Sequence, residues 1–340
     1  MKRHTLKSAA PFLALSVLAT MVWLYAGDLN PPAGPVAPTL KTLDEVEPRT
    51  PISSLPFTID TSGSYYLTQS LAGSTGITID VDDVTLDLNG FSLTGVDPSG
   101  HGINVTTAPT GRVNVTIQNG TVRDWDLTGV NAGDATNSQV LDLHIQGNRE
   151  GLSLGQGKVV RCTVSDSEFN GITAFDSTIT RCTARGNGVT GIIVSNGRIT
   201  DCLARSNLVG IDGRQGSIIT GCIAEQNTTG ITGAFVTAGG APGVTIRNCA
   251  AAVNVGEGIV VGENSLVAGN KCELNIADAT GFGIHVTGSG NRIEGNTVIG
   301  NNRGVKVDVA GNYIVGNSAS GNTPNFDIAG GNTAVSNVEF

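Results

Sequence analysis

Four residues with acid–base or charge-balancing side chains lie near the carboxyl end of this 340-residue chain: Glu257, His285, Lys306 and Asp308. Removal of the proton α to a carboxylate needs a base, and the charge that develops needs a cation nearby. His285 and Lys306 hold the same place in two successive sequence repeats, so these four residues are candidate catalytic residues for that chemistry on a uronic acid. A solvated patch of mixed charge is the competing interpretation.

A second candidate group surrounds Trp125, the only tryptophan outside the first 26 residues. An exposed indole flanked by the carboxylates of Asp124 and Asp126 could stack on a sugar ring. We therefore name these three as candidate substrate-binding residues, with packing of the indole into a core as an equal alternative. In the next repeat, Asp142 and His144 alternate with apolar residues and are expected to point outward from one strand. Two such side chains are too few to bind a metal ion.

An internal repeat must position these groups. A glycine followed by a branched aliphatic residue recurs every 19–28 residues. The glycines of these pairs are Gly76, Gly102, Gly129, Gly151, Gly171, Gly191, Gly210, Gly230, Gly258, Gly283 and Gly304. Each repeat also holds a second short β-branched segment, and Gly, Asn, Ser or Asp residues bound both segments. This pattern is typical of strands joined by tight turns.

Repeats of this length built from short strands predict a parallel β-solenoid. Leucine-rich repeats share the period but need a Leu-x-x-Leu-x-Leu frame that is missing here, and propeller blades need about 40 residues each. We therefore predict an all-β fold, a single right-handed parallel β-helix of about 11 coils of 19–28 residues, over residues 55–340.

Alignment of the second segments predicts columns of stacked side chains. One column holds five cysteines followed by asparagines, whose amides can chain hydrogen bonds and tolerate a left-handed turn. Its members are Cys162, Cys182, Cys202, Cys222, Cys249, Asn270, Asn296 and Asn317. Thiols in one register run side by side and do not converge as a disulfide requires, so we expect reduced, buried cysteines.

The outward column of the Gly-aliphatic strands is mostly small, polar and uncharged. Its predicted members are Asn104, Asn131, Ser153, Thr173, Ile193, Asp212, Thr232, Val260, His285 and Lys306. Apolar residues interrupt the threonines, which argues against the long flat threonine ladders that ice binding would need.

The amino-terminal 26 residues combine Lys2, Arg3 and Lys7 with a long uncharged apolar stretch. This pattern predicts a cleaved signal peptide or an N-terminal membrane anchor. Residues 27–54 are rich in proline and predict an extended linker. We therefore expect the chain to be exported, and to be extracellular, on the cell surface or periplasmic, with membrane contact only through the amino-terminal segment if it is uncleaved.

Composition excludes several classes of protein. A net charge of −9 leaves no basic stripe for nucleic acid, and a hydrophobic content of 39% is too high for a disordered chain. The 47 glycines lack the period of collagen. The sequence contains no nucleotide, haem or metal motif, so we predict neither cofactor nor metal.

Over about residues 55–332 the chain resembles the exported bacterial right-handed parallel β-helix repeat proteins. The resemblance rests on residues 57–67 and 77–91, which are similar to the first coils of that family, and on later Asn-x-x-Gly-Ile and Ile-x-x-Asn frames. These frames occur at Asn207, Asn227, Asn296 and Asn301. The resemblance implies a fold shared by pectate lyases, polygalacturonases, alginate epimerases, carbohydrate-binding modules and adhesive passengers. Such a fold does not decide the function.

Catalytic motifs of these enzymes are incomplete in this chain. Asp97-Pro98 is similar to the Asp-Pro-His element of alginate epimerases, but His101 comes three residues after the proline. His101 also lies in a Gly-His-Gly motif like that of polygalacturonases, yet no Arg-Ile-Lys follows it. Inverting hydrolysis needs two carboxylates with room for water between them, whereas Asp82 and Asp83 are more simply interpreted as a turn.

Two functions from different classes therefore remain. The first is a surface or periplasmic solenoid that is structural or binds a polysaccharide, with a polysaccharide or cell-envelope glycan as its partner. The alternative is a polysaccharide lyase, C5-epimerase or glycoside hydrolase that acts on glycans containing uronic acids.

Overall fold

The computed structural model describes residues 48–107, 111–233, 243–276 and 281–340. Arg49–Phe340 forms one compact unit, and it contains nearly all of the described residues. The segments predicted at 1–26 and, for the most part, at 27–54 lie outside the described residues. The solenoid starts before the predicted boundary at residue 55, because Thr50–Ile52 is already a strand and Ile52 is fully buried beside Leu67.

Every regular element of the described chain is a β-strand, and the strands stack in parallel as three sheets around one core. We call them sheets A, B and C, in the order in which the chain visits them within a coil. Three long strands bend around corners: Val115–Arg123 contributes to B and C, Thr128–Gln146 to all three sheets, and Glu150–Val160 to A and B. Among the described residues, no helix is long and apolar enough to span a membrane.

The shorter strands each belong to one sheet. Sheet A contains Phe57–Ile59, Ile77–Ile79, Ile103–Val105, Ile172–Phe175, Thr190–Ser195, Val209–Arg214, Thr229–Gly233, Ile259–Val261, Phe282–Val286, Arg303–Val307 and Phe326–Ile328. Sheet B contains Thr50–Ile52, Gly63–Leu67, Val84–Asp87, Thr178–Thr180, Arg198–Thr200, Ile218–Thr220, Thr245–Arg247, Leu266–Ala268, Arg292–Glu294, Tyr313–Val315 and Thr333–Val335. Sheet C contains Leu71–Gly73, Ser92–Gly95, Thr163–Ser165, Thr183–Arg185, Leu203–Arg205, Ile223–Glu225, Ala250–Ala252, Lys271–Glu273, Thr297–Ile299, Ser318–Ser320 and Val338–Glu339.

The predicted right-handed parallel β-helix is confirmed, with about thirteen turns where the sequence predicted about eleven. The two additional rungs of sheet A begin at Phe57 and Phe326, and neither phenylalanine follows a glycine. The glycine repeat therefore did not predict these two rungs. Elsewhere the register is as predicted, and the inward side chains of Ile172, Ile192 and Ile211 stack on one another and are fully buried.

Buried ladders of side chains close the corners between sheets. The predicted cysteine and asparagine column runs along the B–C corner, where Asn270 Oδ1 accepts the Cys249 backbone N–H at 2.9 Å and Asn270 Nδ2 donates to Asn296 Oδ1 at 3.0 Å. All six cysteines are free and buried. Burial raises the pKa of the Cys272 thiol, so the thiol form that packs in the core is favoured.

A further ladder, not predicted from the sequence, runs along the C–A corner. Its buried members are Asn148, Ser167, Asn187, Asn207, Asn227, Asn254, Asn275, Asn301 and Asn322. Within it, the amide of Asn254 accepts from Asn227 Nδ2 at 3.2 Å and donates to Asn275 Oδ1 at 2.9 Å. Each asparagine thereby pairs backbone groups that water cannot reach.

The left-handed residue of a corner is the one before the ladder residue. Asp201 (φ 53°) precedes Cys202, and Gly269 (φ 64°) precedes Asn270. The asparagines of the predicted column, which could tolerate this backbone, do not adopt it themselves. A left-handed residue interrupts the in–out alternation of the strand, and the next side chain can then point into the core.

Candidate functional site

The four predicted catalytic candidates come together on the outward face of sheet A, where His285 and Lys306 pair in adjacent rungs. His285 Nδ1 lies 2.7 Å from Glu257 Oε1, and its Nε2 lies 2.8 Å from Asp308 Oδ2. Lys306 Nζ lies 2.8 Å from Asp327 Oδ2 and 3.6 Å from Asp308 Oδ1. Asp327, in the following rung, was not predicted. We call these five residues the His285 cluster.

Contacts within the His285 cluster favour the charged forms of both its basic and its acidic side chains. Burial of the His285 side chain, which is 15% exposed, acts to lower its pKa, but hydrogen bonds to Glu257 and Asp308 outweigh burial and raise that pKa. For Asp308, burial acts to raise the pKa, and His285 and Lys306 together lower it. The hydrogen bond to Asp327 raises the pKa of Lys306.

These contacts limit what the His285 cluster can do chemically. The carboxylate at each ring nitrogen favours the doubly protonated imidazole of His285, and in that form the ring has no lone pair to accept a proton. The ammonium group of Lys306 contacts two carboxylates. In this arrangement the cluster is a closed network of ion pairs, and a base becomes available only if Glu257 or Asp308 turns away. In the described part of the chain, no group of three or more His, Cys, Asp or Glu residues has the geometry to hold a metal ion.

Trp125 does not have the predicted role of stacking on a sugar. Its side chain is 1% exposed, and the indole N–H donates to the Leu93 carbonyl at 3.3 Å. Asp124 (φ 62°) is the left-handed residue of the corner, so Trp125 occupies the inward ladder position, where its backbone N–H donates to Asn148 Oδ1 at 3.0 Å. A buried indole offers no ring face to a ligand, and the packing alternative replaces the stacking one.

The two aspartates beside Trp125 stay at the surface. Asp124 lies 3.6 Å from the guanidinium group of Arg123, and Asp126 accepts the Ser99 backbone N–H at 2.6 Å. Asp126 also lines a cleft of about 480 Å³ together with Arg149 and Glu168. Their role as substrate-binding residues stays a prediction.

The other motifs singled out in the sequence lie in turns and on outer surfaces. Asp142 and His144 are exposed, and Asp142 accepts two hydrogen bonds of 2.6 Å from Arg161. Asp83 has a left-handed backbone (φ 58°), as a turn before the next strand requires. Asp82 Oδ1 accepts the Val113 backbone N–H at 2.9 Å.

A cleft of about 290 Å³ brings His101 together with residues that the sequence analysis missed. Burial lowers the pKa of His101, whose Nδ1 accepts the Thr128 backbone N–H at 3.2 Å. Burial raises the pKa of Glu150, and the guanidinium group of Arg149 lies 5.3 Å from the centre of the Phe169 ring. We call this the His101 cleft. It is lined by His101, Leu127, Thr128, Arg149, Glu150 and Phe169.

A second cleft that the sequence analysis missed, of about 330 Å³, opens beside sheet A. We call it the Phe175 cleft. It is lined by Gly133, Asp134, Ala135, Thr136, Gly155, Gln156, Phe175 and Asp176. A signal was present in the sequence, because Gly133, Gly155 and Phe175 each stand three residues after the aliphatic residue that starts a coil.

The predicted outward column of sheet A is present in full. Each member pairs with the next in adjacent rungs, and the column extends beyond the prediction through Thr58 and Thr78 at one end and Asp327 at the other. From Thr78 to Thr173 its side chains are half-buried hydroxyl and amide groups. In the middle of the column Asp212 is buried, with its carboxylate 2.6 Å from Arg214, and burial raises its pKa.

Comparisons with known proteins agree with this fold. The A-module of the mannuronan C-5 epimerase AlgE6 of Azotobacter vinelandii is similar, with 15% identity, a TM-score of 0.67 and coverage of 82% of this chain and 91% of that one. The A-module of AlgE4 from the same organism shares 15% identity with a TM-score of 0.50, covering 82% and 89%. The catalytic domain of a GH87 α-1,3-glucanase shares 13% identity with a TM-score of 0.50, covering 85% and 63%.

At such low identity, these similarities establish the fold alone. No curated protein sequence matches the chain. The family described as "right handed beta helix region" matches residues 72–212 and 176–324, which together span well over half of the chain. The chain therefore belongs to the right-handed β-helix family.

Proposed function

We propose that this chain is an exported solenoid that binds a polysaccharide along the outward face of sheet A. The observation that carries the proposal is the outward column from Thr78 to Thr173, which presents one hydroxyl or amide group per rung. Rungs of a β-sheet stack about 4.8 Å apart, so these groups form a regular polar track. A sugar chain with hydroxyl groups along its length can exchange hydrogen bonds with such a track.

The contacts within the track support a binding role. Asn131 Nδ2 donates to Asn104 Oδ1 at 2.8 Å, which leaves further donor and acceptor capacity on both amides. Proteins with a similar fold include a mannuronan C-5 epimerase and an α-1,3-glucanase, which supports a glycan as the partner. Export is proposed from the amino-terminal segment, whose charge and hydropathy are those of a signal or an anchor.

Binding without turnover is favoured over catalysis at the His285 cluster. Carboxylates contact both ring nitrogens of His285 and the ammonium group of Lys306, so neither side chain is free for a substrate in this arrangement. A binding surface has no such requirement.

The test is glycan-array screening of the full chain, followed by calorimetry with the glycans that bind. We expect binding that weakens about tenfold or more in the double variant Asn104→Ala/Asn131→Ala. The matched control is Thr180→Ala/Thr200→Ala, which removes outward polar groups from two adjacent rungs of sheet B. The proposal fails if no glycan binds, or if the sheet B variant loses as much affinity as the sheet A variant.

The His101 cleft favours a second candidate function, elimination on a uronic-acid-containing glycan. In such a reaction a base removes the C5 proton, and an acid protonates the glycosidic oxygen as the C4–O bond breaks. Glu150, whose pKa is raised by burial, is the candidate acid or base of this cleft, and Arg149 can balance the substrate carboxylate. The cleft thus offers the two features that the His285 cluster lacks.

An absorbance assay for unsaturated uronates released from alginate or polygalacturonate tests this candidate. Glu150→Gln should abolish the signal, and His285→Ala should leave it. Loss of the signal in His285→Ala alone would transfer the chemistry to the His285 cluster, and absence of any signal in the unaltered chain would exclude a lyase for these two substrates.

A further inference from the structure

The Phe175 cleft combines an aromatic ring with a floor that has no side chains. Phe175 is 47% exposed and is the one large apolar side chain that a sheet A strand exposes among the described residues. In the two preceding coils, Gly155 and Gly133 stand at the same offset from the aliphatic residue that starts the coil. A Cβ atom on Gly155 would lie 2.4 Å from the Ala135 carbonyl oxygen, so the backbones approach too closely there for any side chain.

An irregularity in the strand raises one wall of this cleft. The register between Thr128–Gln146 and Glu150–Val160 shifts between Ala132 and Thr136 and again between Thr136 and Ser138. Such bulges bend a strand and redirect its side chains. Here the displaced segment places the exposed carboxylate of Asp134 at the rim of the cleft.

Each polar side chain at the rim can accept hydrogen bonds, and the amide of Gln156 can also donate them. The exposed carboxylates of Asp134 and Asp176 and the exposed amide of Gln156 line the same cleft. Asp176 Oδ1 accepts from Asn196 Nδ2 at 2.5 Å, which fixes the carboxylate and leaves its second oxygen available. Within the described residues, neither aspartate takes part in an ion pair.

We propose that the Phe175 cleft is a subsite for one neutral pyranosyl unit of a glycan. The proposal rests on the proposed glycan-binding function and adds the place and the class of sugar. The C–H face of a pyranose ring packs on the exposed face of Phe175, while its hydroxyl groups donate to Asp134, Asp176 and Gln156. The volume of about 330 Å³ lies at the lower end of small-molecule sites, about 300–1,000 Å³, which suits one ring of a longer chain.

Charge at the rim selects against acidic sugars. Two carboxylates without cationic partners create a negative potential that repels a uronate carboxylate. This preference is opposite to the uronic-acid specificity that the His101 cleft, with Arg149, would have. The two clefts therefore make different predictions about which glycan binds.

Calorimetry on the full chain tests the proposal, with neutral hexasaccharides of β-1,4-glucan, β-1,4-mannan and α-1,3-glucan and with hexagalacturonate as probes. We expect a neutral hexasaccharide to bind more tightly than hexagalacturonate. Phe175→Ala should weaken that binding at least tenfold, and Phe175→Tyr should restore it. Tyr313→Ala is the matched control, because it removes an exposed aromatic ring from sheet B, and it should leave affinity unchanged.

A variant at the rim of the cleft gives a second test in the same experiment. Asp134→Asn should narrow the difference between neutral and acidic ligands, because it removes one negative charge and keeps the shape. Unchanged affinity in Phe175→Ala, in a folded variant that still binds glycan through the sheet A track, overturns the subsite alone. Tighter binding of hexagalacturonate than of every neutral probe also overturns it, and failure of all probes to bind overturns the proposed function with it.

Discussion

His285 shows how the partners of a residue decide its chemistry. The residue type and its spacing from Lys306 predicted a base beside a cation, and the two do lie in adjacent rungs. The carboxylates of Glu257 and Asp308, one at each ring nitrogen, favour the protonated imidazole over the free base. Asp308 was predicted as a catalytic group itself, and its contact with His285 instead accounts for part of the closed network.

A pH dependence follows from this contact. The pKa of His285 is raised in the folded chain, so its contribution to stability is full below the unfolded value of about 6.5 and is lost as the pH rises through the folded value. Asp308 has a lowered pKa, so its contribution is present above about pH 4 and is lost as the pH falls. We expect His285→Gln to reduce the free energy of unfolding by about 1 kcal/mol near pH 5.5, and by less at pH 9.

Thermal or urea unfolding of both chains at a series of pH values measures this difference. The control is His144→Gln, which alters an exposed histidine on another outer surface. A loss of stability in His285→Gln that is the same at pH 5.5 and pH 9 would contradict the ion-pair account.

Residue roles could be predicted from the sequence where the in–out alternation of a strand continues, and not where a corner interrupts it. The predicted members of the outward column, from Asn104 to Lys306, are all present because each stands one residue after an inward aliphatic side chain. Stacking and packing of Trp125 could not be told apart from the sequence, because Asp124 is left-handed and reverses the alternation there.

At the scale of the elements, the corner ladders pair backbone N–H and C=O groups in the corners, as hydrogen bonds between strands pair them within the sheets. Strands of three residues dominate the solenoid, and many backbone groups therefore lie in corners, where the register of a sheet does not pair them. A ladder asparagine serves both the backbone within reach and the asparagine of the next coil. Asn254, for example, accepts the Asn227 backbone N–H at 3.0 Å and donates to the Ala224 carbonyl at 3.1 Å.

Removal of one ladder amide should therefore be costly. We expect Asn254→Ala to destabilise the solenoid by about 2–4 kcal/mol, because several buried donors and acceptors lose their partner at once. Urea unfolding measures the effect, and Thr228→Ala, at an exposed position of the same corner, should change stability by no more than about 0.5 kcal/mol. Similar small losses in both variants would mean that water reaches the ladder.

The ladders also show which features of the corners could be predicted from the sequence and which could not. The cysteine and asparagine column was visible because both residue types repeat at one offset from an aliphatic residue. The left-handed position beside it was not visible, since Arg181, Asp201, Gly269 and Gly295 share no side-chain property. Only the backbone requirement is common to them.

At the scale of the molecule, each coil contacts mainly the coil before it and the coil after it, so the stack is close to one-dimensional. This accounts for the success of the sequence in predicting the architecture, because a period alone specifies the neighbours of every coil. It also accounts for what was missed. The register shift at Ala132–Thr136, which places Asp134 at the rim of the Phe175 cleft, interrupts the period, so the repeat did not predict it.

Deletion of one whole coil should be tolerated. Cys182 and Cys202 are 20 residues apart and occupy the same ladder position. Removal of residues 182–201 therefore joins Arg181 to Cys202, which takes the place of Cys182. We expect a folded protein with a β-sheet circular dichroism spectrum and a melting temperature within about 5 °C of the parent, because each new interface repeats an existing one. The control is deletion of residues 182–191, which should prevent folding because it shifts every later side chain out of its column.

The hydrogen bonds between coils run along the axis of the stack, and this direction determines how the solenoid responds to tension. The first and last coils lie at opposite ends, so a force applied through the two ends of the described chain is carried by one inter-coil interface after another in series. Under such a load the terminal coil detaches first, and each coil of 20 residues then releases about 70 Å of chain. A protein built in this way lengthens coil by coil under tension, and the coils that are still stacked keep their outward groups in register.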